Sequence, residues 1–159
     1  DISPDLLDLE ITESMAMEDI NQSVEKLHAL RAQGLQVSID DFGTGYSSLS
    51  YLQQFPINTL KIDRSFVGDI RADQTGASIV DAIVAMARGL KLDLVAEGVE
   101  NRTQLKYLKE QGCEEVQGYI FSPAVPSEEL VALLEKNTFS NTLAQAEEHV
   151  DPGAIASVE

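Results

Sequence analysis

Between Leu6 and Thr12 apolar and polar positions alternate, with Leu7, Leu9 and Ile11 set against Asp8, Glu10 and Thr12, and a period of two predicts a strand. From Asp19 to Gln33 the period lengthens. Ile20, Val24, Leu27 and Leu30 fall on one helical face, and Gly34 stands where a chain leaving a helix wants a left-handed residue. The same pair of signals then recurs along the chain. Strands are expected at Leu35–Asp40, Thr59–Asp63, Leu92–Glu97 and Val116–Phe121, each followed by a helix, at Ser47–Gln54, Gly76–Gly89, Asn101–Gln111 and Ser127–Lys136. Pro56 helps to end the first of these helices.

Five successive strand–helix units predict an α/β fold with a parallel sheet, right-handed crossovers and helices outside the strands. Only one side of each strand is consistently apolar, as with Leu60 and Ile62 or Leu94 and Ala96, and that side should face the helices. The other side carries Glu10, Asp40, Lys61, Glu97 and Gln117, at or near the C-terminal ends of the strands. An open doubly wound sheet is covered on both faces and its strands are apolar on both. A polar inner face instead points to a TIM-type (β/α) barrel, in which active-site residues come from the C-terminal ends of several strands. A whole barrel takes about 250 residues, so residues 1–137 are read as its C-terminal part. From Thr138 to Glu159 there is no Lys or Arg and the periodicity fades, which suggests an acidic, flexible tail or linker.

Composition narrows the function. The chain has 159 residues, 43% of them hydrophobic, enough for a buried core. No apolar run approaches the roughly 20 residues of a membrane span. A single cysteine, Cys113, excludes an internal disulfide and a cysteine-based zinc site, and fits the reducing cytoplasm. With 27 acids against 11 bases and a formal charge of −16, the surface repels nucleic acid polymers, and an anionic ligand would need metal ions to mediate. No nucleophile elbow, Walker loop or dinucleotide fingerprint is present. His28, His149 and Cys113 sit outside any plausible catalytic arrangement.

The remaining chemistry is carboxylate chemistry. Asp40 and Asp41 close a strand and precede Phe42-Gly43-Thr44-Gly45. Taken alone, Asp before Gly is ordinary turn chemistry. Glu10 and Glu97 hold the equivalent place on other strands, and four carboxylates converging on one mouth repel each other unless cations neutralise them. Oxygen ligands of this kind favour magnesium, manganese or calcium over zinc. Lys61 is the one base at an inward strand position: it can offset the acids as an ion-pair partner, hold or deprotonate a water near the metals, or do both. Gly43 and Gly45 permit close ligand approach, while Glu13 and Glu100, each three residues past an inward acid, are placed to brace a loop or cap a helix.

These motifs resemble, in order and spacing, the EAL domain of bacterial cyclic di-GMP phosphodiesterases. They are Leu9-Glu10-Ile11-Thr12-Glu13-Ser14, Asp40 to Leu49, Leu60-Lys61-Ile62-Asp63, Ala96-Glu97-Gly98-Val99-Glu100 and Gln117-Gly118-Tyr119. The resemblance implies a barrel that hydrolyses cyclic di-GMP to linear pGpG with two Mg²⁺ or Mn²⁺ ions. It implies metal ligation by Glu10, Asp40, Asp41 and Glu97, with Asp40 bridging the ions. Lys61 would contact the catalytic water, Gln117 would lie near the site, and Glu13 would anchor the loop holding Gly43, Thr44 and Gly45. The Glu-Ala-Leu tripeptide and an asparagine ligand of the family are expected upstream of Asp1. Homodimerisation through the complete barrel, upstream GGDEF or sensory domains, and a cytoplasmic site with any inner-membrane tether supplied from outside this chain are also implied. A module that binds cyclic di-GMP or a protein partner without hydrolysis is the alternative, and the complete set of motif acids in this span favours the enzyme.

Overall fold

The computed structural model describes residues 2–45, 49–71 and 77–136. Five parallel strands form one sheet in sequence order: β1 (Asp8–Thr12), β2 (Gln36–Phe42), β3 (Thr59–Ile62), β4 (Asp93–Ala96) and β5 (Glu115–Val116). Seven helices are described between and after them: α1 (Glu13–Glu18), α2 (Ile20–Arg31), α3 (Leu49–Leu52), α4 (Arg64–Gly68), α5 (Ser78–Leu90), α6 (Arg102–Gln111) and α7 (Ser127–Glu135). In-order parallel pairing gives an arc with β1 and β5 at its edges, the local topology of a (β/α) barrel wall.

The two faces of the arc differ as the strand alternation requires. Val37, Ile39, Leu60, Ile62 and Ala96 are fully buried on the helix side. Against them lie Val80, Ile83, Val84 and Ala87 of α5, spaced by three and four residues, and Leu105 and Leu108 of α6. The other face is polar down to its lower layer, where the buried Ser38 hydroxyl donates to Asp8 Oδ2.

Several expected boundaries shift, each for a local reason. The helix expected at Asp19–Gln33 is α2, and an unexpected short helix, α1, precedes it: Thr12 caps α1 by accepting from the Met15 N–H, and Asp19, extended at φ −143°, ends α1 and caps α2. A short helix, α4, was hidden behind the third strand, where Asp63 accepts from the Ser65 N–H at 2.9 Å. The expected strand Val116–Phe121 stops at Val116. Beyond it, Gly118 crosses the Val99 backbone so closely that a Cβ there would lie 2.2 Å from the Val99 carbonyl oxygen. The segment stays tied through the Val99 N–H to Gln117 O (3.0 Å) and the Ile120 N–H to Val99 O (2.9 Å). Ser47 and Ser48, the start of the helix expected from Gly76, and the tail from Thr138 lie outside the described residues. Among the described residues no helix is long and apolar enough to cross a membrane.

Between α5 and α6, the Tyr107 hydroxyl donates to Asp81 Oδ1. Burial, reinforced by the Asp81 hydrogen bond and charge, pushes this phenol up to about 12. Because the folded state holds the proton more tightly than the unfolded one, its stabilisation is complete below the ordinary tyrosine value near 10 and is lost as pH rises toward 12. Tyrosinate absorbance should show one late-titrating phenol in the native protein. The loss of thermal stability between pH 10 and 12 should be smaller in Tyr107→Phe than in wild type, and equal alkaline slopes would remove Tyr107 from this role.

Candidate active site

The site is built at the C-terminal ends of β1 to β4. Glu10, Asp40, Lys61 and Glu97 share inward parity at or just past these strand ends, and their side chains meet around Lys61. Lys61, 5% exposed, is the centre. Its Nζ lies 2.7 Å from Glu10 Oε1, 2.6 Å from Glu97 Oε1 and 3.4 Å from Asp40 Oδ1. Burial works against the charged ammonium, yet hydrogen bonds with Glu10 and Glu97 and the charges of Glu97 and Asp40 outweigh it and hold the group above the ordinary lysine range.

Consecutive strand residues normally point to opposite faces, so two acids in a row need a device to share one mouth. The register supplies it. Ile39 pairs with Leu60 and Phe42 with Ile62, so three steps on β2 match two on β3, a bulge that contains Asp40 and Asp41. Asp41 takes a left-handed backbone, φ 54°, which a short polar side chain tolerates better than most. The extra residue returns Phe42 to the helix side, where it is buried, and leaves both carboxylates toward the mouth.

The structure separates the four acids that the sequence groups together. Glu10, Asp40 and Glu97 gather on Lys61, whereas Asp41 hydrogen-bonds with Asp63, the residue that caps α4. Burial, then the charges of Asp40 and Asp63, raises the Asp41 carboxyl above its usual value. Asp63 moves the other way: burial opposes ionisation, but hydrogen bonds from the Ser65 hydroxyl and N–H and from Asp41 outweigh it. Asp63 belongs to the Leu60-Lys61-Ile62-Asp63 motif but has no role assigned there, although it lies two residues past Lys61 and so shares its parity.

Around this centre the loops are held by buried polar groups. Glu13, only 2% exposed, accepts from the Gly43 N–H (2.9 Å) and the Gly45 N–H (3.3 Å), while the Thr44 hydroxyl donates to the Asp41 carbonyl at 2.8 Å. Gln104, also unrecognised in the sequence and 4% exposed, accepts from the Glu100 N–H (2.8 Å) and the Asn101 N–H (3.2 Å) and donates to the Val67 carbonyl (3.2 Å). Its signal was legible as a capping box, Asn101 with Gln104 three residues on. Glu100 itself is held by its backbone while its carboxylate faces outward, and Gln117 lines a neighbouring cleft with Glu97.

Among the described residues no three acidic, histidine or cysteine side chains close around one point as a metal cage, because the Lys61 ammonium fills the space between three of them. The donors nevertheless suit a hard divalent cation. All are carboxylate oxygens, and Asp40 Oδ1 is buried with no hydrogen-bond partner, the Lys61 ammonium at 3.4 Å compensating it by charge alone, so a directly bound cation would satisfy it better.

A family model described as the EAL domain matches residues 1–124. The cyclic di-GMP phosphodiesterase NbdA of Pseudomonas aeruginosa is 50% identical over 133 residues, covering 84% of this chain and 17% of that protein. Among solved structures, the P. aeruginosa MucR phosphodiesterase in complex with c-di-GMP superposes with a TM-score of 0.77 at 48% identity, over 81% of this chain and 52% of that one. A manganese and cyclic di-GMP complex of Klebsiella pneumoniae BlrP1 gives a TM-score of 0.70 at 37% identity, over 77% and 31%. The chain thus spans about a sixth of the length of the curated relatives it matches first, 16% and 17%. These neighbours are TIM barrels, and the five-stranded arc is a segment of such a wall that is not closed within this chain. With the motif acids on successive strand ends and a family match over most of its length, the chain belongs to the EAL domain family.

Proposed function

We propose that the protein carrying this chain is a metal-dependent phosphodiesterase that hydrolyses cyclic di-GMP to linear pGpG, with this chain supplying the part of the site on β1 to β4. The observation that carries the reading is the buried Lys61 ammonium held by Glu10, Asp40 and Glu97, with an Asp40 oxygen buried and lacking a hydrogen bond, in a chain 50% identical over 133 residues to a protein named as such a phosphodiesterase.

Glu10, Asp40, Asp41 and Glu97 would hold two Mg²⁺ or Mn²⁺ ions. Bound there, such ions lower the pKa of water and neutralise charge on the phosphodiester. The chain's own residues do the rest. A surface with a formal charge of −16 repels a dianion, and Lys61 offsets only one of the carboxylates at the mouth, so the approach of substrate would need cations held there. Lys61, fixed by two short ion pairs, presents a donor that orients the attacking water and stabilises charge on the phosphoryl oxygens. Glu13 keeps the Gly43–Gly45 loop, and with it Asp40 and Asp41, from drifting. The same reading sets the reaction in the cytoplasm, includes a homodimer formed through the complete barrel, and has GGDEF or sensory domains preceding it.

In the full-length protein, Asp40→Asn or Glu97→Gln should abolish cyclic di-GMP cleavage while the fold survives, because an amide is a poorer ligand for hard cations. Chelation of wild type with EDTA should do the same and Mn²⁺ should restore it. Near-normal turnover in either variant at saturating metal would remove that residue from the ligand set. Tight cyclic di-GMP binding without any cleavage by wild type would convert the reading to a receptor.

Lys61→Ala should bind substrate close to normally yet lose about 10²–10⁴-fold in kcat, the range for a proton-handling or water-positioning group. Single-turnover hydrolysis with binding measured in parallel separates the roles. A loss confined to affinity would make Lys61 a phosphate contact instead.

A further inference from the structure

Among the described residues four polar or charged side chains are buried: Glu13, Ser38, Lys61 and Gln104. Gln104 alone has no part in the polar face of the sheet or in the loop after β2. It stands in the first turn of α6, and an amide is costly to bury unless both its ends are bonded. Both are. The oxygen accepts from the Glu100 and Asn101 N–H groups at 2.8 and 3.2 Å, and the nitrogen donates to the Val67 carbonyl at 3.2 Å. The two ends therefore grip different segments: the loop that leaves β4 at Glu97, and helix α4, which begins directly after Asp63.

These segments start from one point. The Glu97 N–H donates to the Ile62 carbonyl at 3.1 Å, and beyond that bond the chains part, one through Gly98 at φ 69° and the other through Asp63 into α4. Gln104 bonds them together again. Helix α4 in turn reaches the loop after β2: its cap Asp63 hydrogen-bonds with Asp41, and the Phe66 ring packs so closely on Gly43 that a Cβ there would lie 2.7 Å from Phe66 Cε2. A closed ring of contacts thus runs from Glu97 through Gln104 and α4 to Asp41.

We propose that Gln104 is a positioning residue whose amide, by bridging the loop after β4 to α4, holds Glu97 and the Asp41–Asp63 pair at the separation that divalent cations require. The inference rests on the metal-dependent reading above and adds to it a residue that touches neither cation nor substrate. The bridge needs an acceptor at one end of the side chain and a donor at the other. A carboxylate accepts without donating at neutral pH, and a hydrocarbon or thioether chain donates nothing. Gln104→Glu therefore keeps the grip on the Glu100 and Asn101 N–H groups and releases α4, whereas Gln104→Met releases both segments.

The test measures Mn²⁺ binding to the full-length protein without substrate, by electron paramagnetic resonance, beside Mn²⁺-dependent cleavage of cyclic di-GMP. Both variants should bind Mn²⁺ about tenfold more weakly than wild type, the lower end of what loss of an outer hydrogen-bond partner costs a metal site. Saturating Mn²⁺ should bring kcat back toward wild type, with KM for cyclic di-GMP unchanged. A purely structural role would lower the melting temperature and leave the Mn²⁺ affinity of the folded protein as it was. Wild-type affinity in folded Gln104→Glu overturns the proposal, and Gln104→Met decides in the same way if the first variant does not fold. Wild type supplies a check that needs no variant, because Ile70 N–H shares the Val67 carbonyl with Gln104. The Glu100, Asn101 and Ile70 amides should show the same protection from hydrogen exchange, and a difference of more than about tenfold means that the two segments open separately and also overturns the bridge. A wild type that binds Mn²⁺ without cleaving would fail the phosphodiesterase reading and leave the Gln104 comparison intact. One that binds no Mn²⁺ would fail the proposed ligand set, and the amide protection would then decide the bridge.

Discussion

A buried ammonium facing three carboxylates is the constraint on which this molecule is organised. Desolvating a lysine is costly, and breaking a buried pair costs more than the pair itself contributes. Lys61 therefore needs Glu10, Asp40 and Glu97 as much as they need it. Because three of the side chains come from β1, β2 and β3 and Glu97 directly follows β4, the ion cluster ties the four strands together at their C-terminal ends. On the opposite side of the same strands, Val37, Ile39, Leu60, Ile62 and Ala96 tie them to the helices. The sheet is thus clamped by charge on one face and by apolar burial on the other, and the proposed chemistry uses the charged clamp.

The polar groups around this clamp work through backbone atoms. Glu13 and Gln104 are both buried, both charged or amide side chains in helices, and both spend their acceptors on loop N–H groups. Each converts a glycine-containing loop into a fixed wall. A buried carboxylate left without such donors would be expensive, so the loops and their anchors stabilise each other and neither is free to vary alone.

Much of this was legible in the sequence because period-two alternation reports which face a residue occupies. Glu10, Asp40, Lys61 and Glu97 could be assigned to one inner mouth on parity alone. What parity could not report was the distance between side chains, and hence that Lys61 would draw three acids and leave Asp41 to Asp63. It also could not show the end of β5. Val116 to Phe121 keeps an apolar–polar pattern, but the close crossing of Gly118 over Val99, a contact between distant parts of the chain, replaces ladder pairing there. The helices α1 and α4 escaped for a different reason: each is too short to display a period, and only their caps, Thr12 and Asp63, announce them.

The bulge in β2 has a bearing on how this segment can change over evolutionary time. Substitutions at Asp40 or Asp41 alter charge but leave the path of the chain in place. Deleting a single residue between Ile39 and Phe42 would restore plain alternation and keep Phe42 opposite Ile62 on the helix side, but it would remove the bulge and leave one carboxylate where two now share the mouth. The length of the stretch from Ile39 to Phe42 is therefore a constraint in its own right, separate from the identity of the residues in it.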